Sequence, residues 1–448
     1  MELNSLTAIS PIDGRYRNQV AFLDEYFSEY ALIKGRVRVE VLYFLFLSKK
    51  KFFKINAATK KALLQLVDDF SIEQAQEIKA IEATTNHDVK AVEYFIKNIL
   101  KQHKEDKQLE WVHFALTSQD INNTAIPYLL QDFCCKEYLP HIINLTTQLH
   151  QLAKANENVP MLARTHGQAA SPTCLGKEIM VFVERLQNQI HLLAQIPFST
   201  KFGGATGNFN AHHIAFPKTN WVAFANEFVE KELQLERQQF TTQIEHYDNL
   251  AAFCQAVERI NTILMDFAKD VWTYISLNYF TQKIQAGEVG SSAMPHKVNP
   301  IDFENAEGNL GVANALLQHL ANKLPISRLQ RDLTDSTVLR NLGVPFAHTI
   351  LAIKSIEKGL GKLVVNTKAI DADLENNWAV VAEAIQTILR REAYPNAYEA
   401  LKDFSRGNAT IDKKSVHQFI ATLKVSAAVK NELKAITPHN YTGVKFKL

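Results

Sequence analysis

The sequence predicts an all-α protein with a central bundle of long helices. Glycine and proline, which interrupt helices, number only 16 and 13 among 448 residues; each is near or below about 60% of average usage. Residues 218–286 contain neither. The apolar–polar alternation of strands is hard to find beyond short candidates such as residues 199–212. These observations favour long helices over sheets.

One segment shows the helical period directly. Its apolar residues recur every three or four positions, which is the spacing of a helix face buried against other helices. They are Phe253, Val257, Ile260, Leu264, Phe267, Val271 and Ile275. We therefore expect one long buried helix here.

Composition excludes several classes of protein. Hydrophobic residues are 46% and charged residues 21% of the chain, as in ordinary globular proteins. A net charge of +2 gives no reason to expect a nucleic-acid partner. The apolar run at 39–47 is short, interrupted by Glu40 and followed by three lysines. It predicts a buried helix rather than a membrane span.

The first ten residues and the cysteines indicate where the protein works. The N-terminus has neither a basic start nor an apolar core, so we expect no signal peptide. The cysteines form no CxxC pair and no ligand cluster: Cys134, Cys135, Cys174 and Cys254. This usage is typical of a reduced, cytoplasmic protein.

Three domains are predicted along the chain. An N-terminal helical domain covers 1–111, the long-helix bundle covers 112–361, and a smaller helical domain covers 362–448. Glycines cluster in four polar segments, at 11–16, 163–168, 203–207 and 286–300. A helical scaffold that confines irregular backbone to reactive segments predicts a site built from separated loops.

The segment TTNHDVKAVEYF at 84–95 is interpreted as a loop that enters a helix. Asn86, His87 and Asp88 are suitable turn or cap residues, and local sequence favours that structural role. The alternative is that the same three polar side chains bind substrate.

The segment HFALTSQDINN at 113–123 also contains a helix-capping pattern. Thr117 or Ser118 could cap a helix, with Asp120 near its positive end. The free N–H groups and hydroxyls of such a terminus could equally bind a carboxylate or phosphate. Local sequence does not separate the two interpretations.

The segment ARTHGQ places His166 between a threonine and a glycine, two residues after Arg164. A histidine can transfer a proton near neutral pH, and a small neighbour permits close approach. A lone histidine is more often structural.

Two segments offer cations for an anion. In QRDLTDSTVLRN at 330–341, Arg331, Ser336 and Arg340 lie at a predicted helix start. Their spacing can bring both guanidinium groups to one phosphate, although surface ion pairs are an equal alternative. Arg15 and Tyr16 add polar groups beside a glycine turn.

The segment AGEVGSSAMPHKVNP at 286–300 could be a linker, a phosphate loop or a mobile active-site loop. It lacks the spacing of a P-loop, and a linker would not need its hydroxyl, ammonium and amide groups. Lys297 and Asn299 suit a carboxylate that gains charge. We therefore predict a mobile active-site lid. From the residues alone, the general base carried by this lid would be His296.

Several of these motifs resemble one enzyme family. GSSAMPHKVNP is similar to the characteristic loop of the fumarase/aspartase superfamily. The segments quoted above, with GRY at 14–16, resemble its adenylosuccinate lyase branch from Gly14 to Asn341, and the N-terminus resembles the bacterial form. The resemblance implies a three-domain, all-α, fumarase/aspartase-like fold. It also implies a C–N lyase of purine biosynthesis that releases fumarate from adenylosuccinate and from the succinylated aminoimidazole carboxamide ribotide, without a metal or organic cofactor.

The resemblance also implies residue roles and an assembly. Ser291 would be the general base and His166 the general acid; Lys297 and Asn299 would hold the carboxylate that gains charge. The implied substrate-binding residues are Arg15, Tyr16, Asn86, His87, Asp88, Thr117, Ser118, Gln243, Lys297, Asn299, Asn305, Arg331, Ser336 and Arg340. The implied assembly is a homotetramer whose active sites each use loops from three chains.

Two alternatives compete with this function. One is another fumarate-forming lyase, such as argininosuccinate lyase; its substrate has no phosphate, so Arg331 and Arg340 argue against it. The other is a non-catalytic scaffold of the same fold. A scaffold would tolerate the loss of Ser291, His166 or Lys297, and all three are present.

Overall fold

The computed structural model describes residues 4–283, 294, 297–407 and 411–448. Within these ranges the protein is mainly helical, which confirms the all-α prediction. The α-helices are α1 Arg17–Val20, α2 Asp24–Phe27, α3 Glu29–Lys49, α4 Ala57–Asp68, α5 Ile72–Thr85, α6 Asp88–Gln102, α7 Ser118–Phe133, α8 Leu139–Ala155, α9 Leu175–Leu193, α10 Asn210–Ala215, α11 Trp221–Glu227, α12 Asp248–Ser276, α13 Ile301–Lys323, α14 Thr334–Leu339, α15 Gly343–Lys362, α16 Thr367–Glu375, α17 Ala382–Arg391, α18 Ala397–Gly407, α19 Lys413–Thr422 and α20 Ala427–Lys434.

Short strands form four two-stranded pairs in the described part of the chain. They are β1 Pro160–Met161 with β4 Thr173–Cys174, β2 Arg164–Thr165 with β3 Gln168–Ala169, β5 Ser199–Thr200 with β6 Glu236–Arg237, and β7 Phe280–Gln282 with β8 Leu363–Val365. Only the pair of β5 and β6 is parallel. Of the strand candidate at 199–212, only Ser199–Thr200 forms a strand, because the glycine-rich loop and α10 follow it.

The predicted long helix is confirmed as α12, which has 29 residues. The side chains of the predicted apolar face are buried, except for the half-buried Ile275. The apolar run at 39–47 lies inside α3 and is mostly buried, as predicted. None of the helices in the described ranges is long and apolar enough to cross a membrane.

The chain divides into two compact units. The first contains Met1–Ile142, Gln189–Thr262 and Gly308–Ile353. The second contains Ile143–Asn188, Ile263–Glu307 and Lys354–Leu448. The three-domain bounds that the sequence predicts stay a prediction.

In the first unit, α3 contacts α4, α6 and α7. Gly35 of α3 permits a close approach to α7, since a Cβ atom here would lie 3.2 Å from both Ala125 Cβ and Leu129 Cδ1. A large aromatic core, which includes Phe44, Phe95 and Phe228, packs around these helices. This packing holds the N-terminal ends of α6 and α7 in place.

In the second unit, the C-terminal helices α17, α18, α19 and α20 surround a core of their own. Its buried members include Trp378, Ile385, Leu389 and Ile420. The strands β2 and β3 in this unit form a hairpin whose tip is the segment predicted to carry the acid.

Candidate active site

A cavity of about 570 Å³ lies in the first unit. Its polar wall is made by the N-terminal ends of α3, α6 and α7 together with α14, and its apolar wall includes Phe27, Leu32, Ile126 and Leu129. The starts of α3, α6 and α7 thus border one cavity, and the positive ends of their helix dipoles suit an anionic ligand.

The cavity brings together half of the residues predicted to bind substrate. These residues come from segments of the chain that lie far apart in sequence. They are Asn86, His87, Asp88, Ser118, Arg331, Ser336 and Arg340.

The turn before α6 is formed as the sequence predicts. Asn86 ends α5 in the left-handed conformation, at φ 51°, and His87 caps α6 by accepting the Lys90 N–H on Nδ1 at 3.1 Å. The imidazole of His87 is still half exposed. Capping and ligand binding are therefore compatible here, because only one ring nitrogen is used by the cap.

Asp88 is paired with an arginine that is almost completely buried. Arg36 Nη2 donates to Asp88 Oδ2 at 2.6 Å, and Arg36 Nε donates to Asn122 Oδ1 at 2.8 Å. Burial opposes ionisation of Asp88, but Arg36 and the Val89 N–H outweigh it and hold the pKa of Asp88 below its ordinary value. The pair remains ionised across the neutral range.

Thr117 is the residue that precedes α7, and the start of that helix is fixed by a buried ion pair. Asp120 Oδ2 accepts the Thr117 N–H at 2.8 Å, and Asp120 Oδ1 accepts Lys201 Nζ at 2.8 Å. Both side chains of the pair are 0% exposed. Gly203 and Gly204 donate their N–H groups to the same carboxylate, at 2.8 and 3.1 Å. The glycine-rich loop at 203–207 thus supports the helix start that presents Ser118.

The arginines of the predicted phosphate site are already engaged by protein groups. Arg331 Nη2 donates to Ser336 Oγ at 3.3 Å, and Arg331 Nε lies 3.9 Å from Asp335 Oδ1. Arg340 pairs with Glu29 and lies 4.0 Å from Asp88 Oδ2. Both guanidinium groups therefore face the cavity with counter-ions in place.

His166 lies in the second unit at the tip of the hairpin of β2 and β3. His166 and Gly167 both have positive φ, 52° and 76°, as in the two-residue turns that suit hairpins. Arg164 Nη2 donates to Asp373 Oδ2 at 2.6 Å and anchors the base of the hairpin. Within one chain the imidazole of His166 is exposed to solvent.

The other predicted residues that the structure describes are absent from the lining of this cavity. Arg15 and Tyr16 lie in the turn before α1, and Gln243 is half-buried in a bend before α12. Lys297, Asn299 and Asn305 belong to the second unit, where Lys297 is exposed and the two asparagines are half-buried. Ser291, His296 and most of the predicted lid at 286–300 lie outside the described residues.

The comparisons with known proteins agree on one family. Residues 14–314 match the family model described as lyase, and residues 327–442 match the model described as adenylosuccinate lyase C-terminal. The chain is 57% identical to adenylosuccinate lyase of Dictyostelium discoideum, over 99% of this chain and 98% of the relative. It is 48% identical to adenylosuccinate lyase of Escherichia coli strain K12, over the same shares of the two chains.

The chain belongs to the adenylosuccinate lyase family. Solved structures agree with this at the level of the fold. Fumarate lyase from Mesorhizobium sp. BNC1 matches with a TM-score of 0.74 at 18% identity, over 94% of this chain and 95% of that one. The 3-carboxy-cis,cis-muconate lactonizing enzyme from Pseudomonas putida matches with a TM-score of 0.72 over the same shares. The fumarase/aspartase-like fold predicted from the sequence is confirmed, and the chain is a lyase of this family.

In this adenylosuccinate lyase family member, sequence reasoning missed several polar residues of the cavity. They are Ser28, Glu29, Arg36, Glu82, Gln119 and Asn122. Asn122 could have been found, since it follows Ser118 by four residues on the same helix and so shares its face. Arg36 also leaves a signal, because it is a charged residue within the apolar pattern of α3. Glu29 leaves none, since an acidic residue at a helix start is the ordinary complement of the helix dipole.

Proposed function

We propose that the cavity binds the nucleotide of adenylosuccinate and of the succinylated aminoimidazole carboxamide ribotide, and that the protein releases fumarate from both by β-elimination. The products that remain are AMP and the aminoimidazole carboxamide ribotide. The observation that carries the proposal is that Arg331, Ser336 and Arg340 line one cavity with His87 and Ser118. The relatives named adenylosuccinate lyases support it, since they align with nearly the whole chain.

The proposed elimination moves two protons and breaks one C–N bond. Ser291 removes a proton from the carbon next to a succinyl carboxylate, and the electron pair is stabilised by that carboxylate with Lys297 and Asn299. The pair then forms the double bond of fumarate as the C–N bond breaks. His166 protonates the departing nitrogen, a role that suits an imidazole, the side chain most often used for positioned proton transfer.

The remaining contacts follow from charge and position. Arg331, Ser336 and Arg340 hold the phosphate, while His87 and the Thr117–Ser118 turn help hold the succinyl and phosphate groups. Asn86 and Asp88 shape the same wall. The other members of the proposed substrate-binding set are Arg15, Tyr16, Gln243 and Asn305.

We also propose a cytoplasmic homotetramer in which three chains contribute to each site. One observation supports the shared site: within a single chain His166 is exposed at a hairpin tip, where water would surround it. A proton donor for elimination works best where bulk water is excluded. A second chain over the hairpin would provide that exclusion.

The direct test of the function is fumarate release by the purified protein. Both succinylated nucleotides serve as substrates, and argininosuccinate is the matched alternative. We expect fumarate from the first two only. The proposal fails if neither nucleotide yields fumarate, or if argininosuccinate is the better substrate.

Substitution of Arg331 or Arg340 by alanine should weaken AMP binding by about 10- to 100-fold, the loss of one or more charge-assisted contacts. Binding of fumarate should change much less, because it has no phosphate. Isothermal titration with AMP, adenosine and fumarate measures these affinities. Arg328→Ala is the control, since this neighbouring arginine is 80% exposed and pairs with Asp332. An equal loss of affinity for AMP and for adenosine would show that Arg331 and Arg340 do not bind the phosphate.

Two inactive variants should restore each other's activity if the site is shared. His166→Ala and Ser291→Ala proteins, unfolded and reassembled together, form mixed tetramers in which some sites have both native residues. Independent assortment sets a limit of about one quarter of native sites. Each variant reassembled alone, and the two mixed without unfolding, are the controls. Verified mixed tetramers with no activity above either parent would contradict the shared site.

A further inference from the structure

Tyr247 occupies an unusual place just before α12. Its side chain is 4% exposed and its φ is 62°, in the left-handed region. A bulky residue rarely adopts this conformation, and it persists only where its surroundings hold it. Its carbonyl accepts the Ala251 N–H at 2.8 Å and so begins the long helix. The backbone thereby directs the tyrosine ring into the interior of the first unit.

The hydroxyl of Tyr247 joins two other segments of that unit. It donates to Asp335 Oδ2 at 2.9 Å and accepts from Asn123 Nδ2 at 2.7 Å. Asn123 Oδ1 in turn accepts the Glu245 N–H at 2.9 Å. Asn123 and Asp335 are themselves buried, so both hydrogen bonds are shielded from water. Buried polar groups in such a chain have few alternative partners, which fixes their orientation.

Asp335 connects this chain of hydrogen bonds to the wall of the cavity. Its Oδ1 atom accepts the Ser336 N–H at 2.7 Å and lies 3.9 Å from Arg331 Nε. Arg331 also donates to Ser336 Oγ at 3.3 Å. When the buried side-chain amide of Gln119 is oriented with its oxygen toward Arg331, that oxygen accepts from Arg331 Nε at 3.2 Å. Arg331 is therefore held on two sides by buried groups.

The described lining of the cavity includes Arg331 and Ser336 but not Tyr247, Asn123 or Asp335. We propose that Tyr247 is a positioning residue for anion binding, whose hydroxyl holds Asp335 so that Asp335 orients Arg331 and Ser336 toward the phosphate of the nucleotide. This inference rests on the proposed function, because it takes the phosphate to be the ligand of Arg331.

Removal of the hydroxyl should act on phosphate recognition rather than on the whole site. In Tyr247→Phe the aromatic ring still fills the core, but Asp335 Oδ2 loses its donor. The carboxylate can then rotate, so it no longer holds Arg331 and Ser336 in one orientation. We expect AMP affinity to fall about tenfold, in line with one hydrogen bond to a charged group. Adenosine affinity should change less than about twofold, because adenosine has no phosphate for Arg331 to bind.

The experiment compares AMP and adenosine binding by wild type, Tyr247→Phe and Tyr30→Phe. Tyr30 is the matched control: its hydroxyl donates to the Phe70 carbonyl at 2.6 Å in the same unit, without contact to Arg331. A general loss of stability would change the affinities for AMP and adenosine to the same extent. A selective loss for AMP in Tyr247→Phe alone supports the inference, and an unchanged preference for AMP overturns it.

A double-variant cycle provides the second measurement. Because Tyr247 acts mainly through Arg331, the change Tyr247→Phe should cost clearly less AMP affinity in an Arg331→Ala protein than in the wild type. Additive losses would overturn the inference even if Tyr247→Phe alone binds AMP weakly. The proposed function fails separately, if wild-type protein binds AMP no more tightly than adenosine.

Discussion

Ser291→Ala and His166→Ala should each lower turnover by at least about 100-fold, while the affinity for substrate changes little. Positioned groups that transfer protons contribute about 10²- to 10⁴-fold to a rate. Neither residue supplies the main affinity in the proposed site, which comes from the phosphate and carboxylate contacts. Turnover is measured by fumarate release at saturating substrate, and binding is measured with the inactive variants by calorimetry.

The controls for these variants are a neighbouring serine and a histidine outside the proposed site. Ser292→Ala removes the neighbouring hydroxyl, and His213→Ala removes an exposed histidine that the proposed mechanism does not use. Both should keep near-native turnover. If Ser291→Ala stays active while His296→Ala is inactive, the base is His296 and the assignment made from the family resemblance is wrong.

Lys201→Met should destabilise the first unit by about 3–5 kcal/mol, the usual cost of removing one partner of a buried ion pair. Methionine keeps most of the apolar stem of the lysine but leaves Asp120, which is 0% exposed, without its cation. Burial lowers the pKa of Lys201 and Asp120 opposes that effect, so the charges depend on each other. Denaturant unfolding, followed by circular dichroism, measures the shift of the midpoint.

An exposed pair provides the comparison for this effect. Lys136 donates to Asp132 at 2.7 Å, but the lysine side chain is 62% exposed. Lys136→Met should therefore cost at most about 1 kcal/mol. The double variant Lys201→Met with Asp120→Asn removes both buried charges and should recover part of the lost stability. A midpoint shift no larger for Lys201→Met than for Lys136→Met would show that the buried pair does not hold the start of α7.

Local features of the fold could be predicted from the sequence because they depend on neighbouring residues. The period of α12 and the caps at His87 and Thr117 are examples, and each is set by a few adjacent side chains. The hairpin around His166 could not be predicted, since strands of two residues are too short to show alternation. Its two-residue turn is His–Gly rather than the stronger signal Asn–Gly.

The candidate site was predicted only as separate segments. Asn86–Asp88, Ser118 and Arg331 are polar clusters that a pattern can identify, but their meeting depends on the packing of α3, α6 and α7. The place of Arg36 in the cavity also depends on that packing. Its buried guanidinium group is paired with Asp88 and Asn122, which lie on two other helices. The contribution of Ser291 rests on resemblance, since a serine hydroxyl is a poor base on chemical grounds alone.

The pairing of Arg340 with Glu29 has a consequence for how substrate arrives. Of the described residues that line the cavity, Arg36, Arg331 and Arg340 are balanced by Glu29, Glu82 and Asp88. An evenly balanced cavity projects little field into solvent, so electrostatic steering of an anionic nucleotide is weak. In the proposed site, selection would then occur after contact, when the phosphate replaces the carboxylate of Glu29 as the partner of Arg340. We expect kcat/KM to depend only weakly on ionic strength, and Glu29→Gln to make that dependence steeper; a steep dependence in the wild type would contradict this exchange of anions.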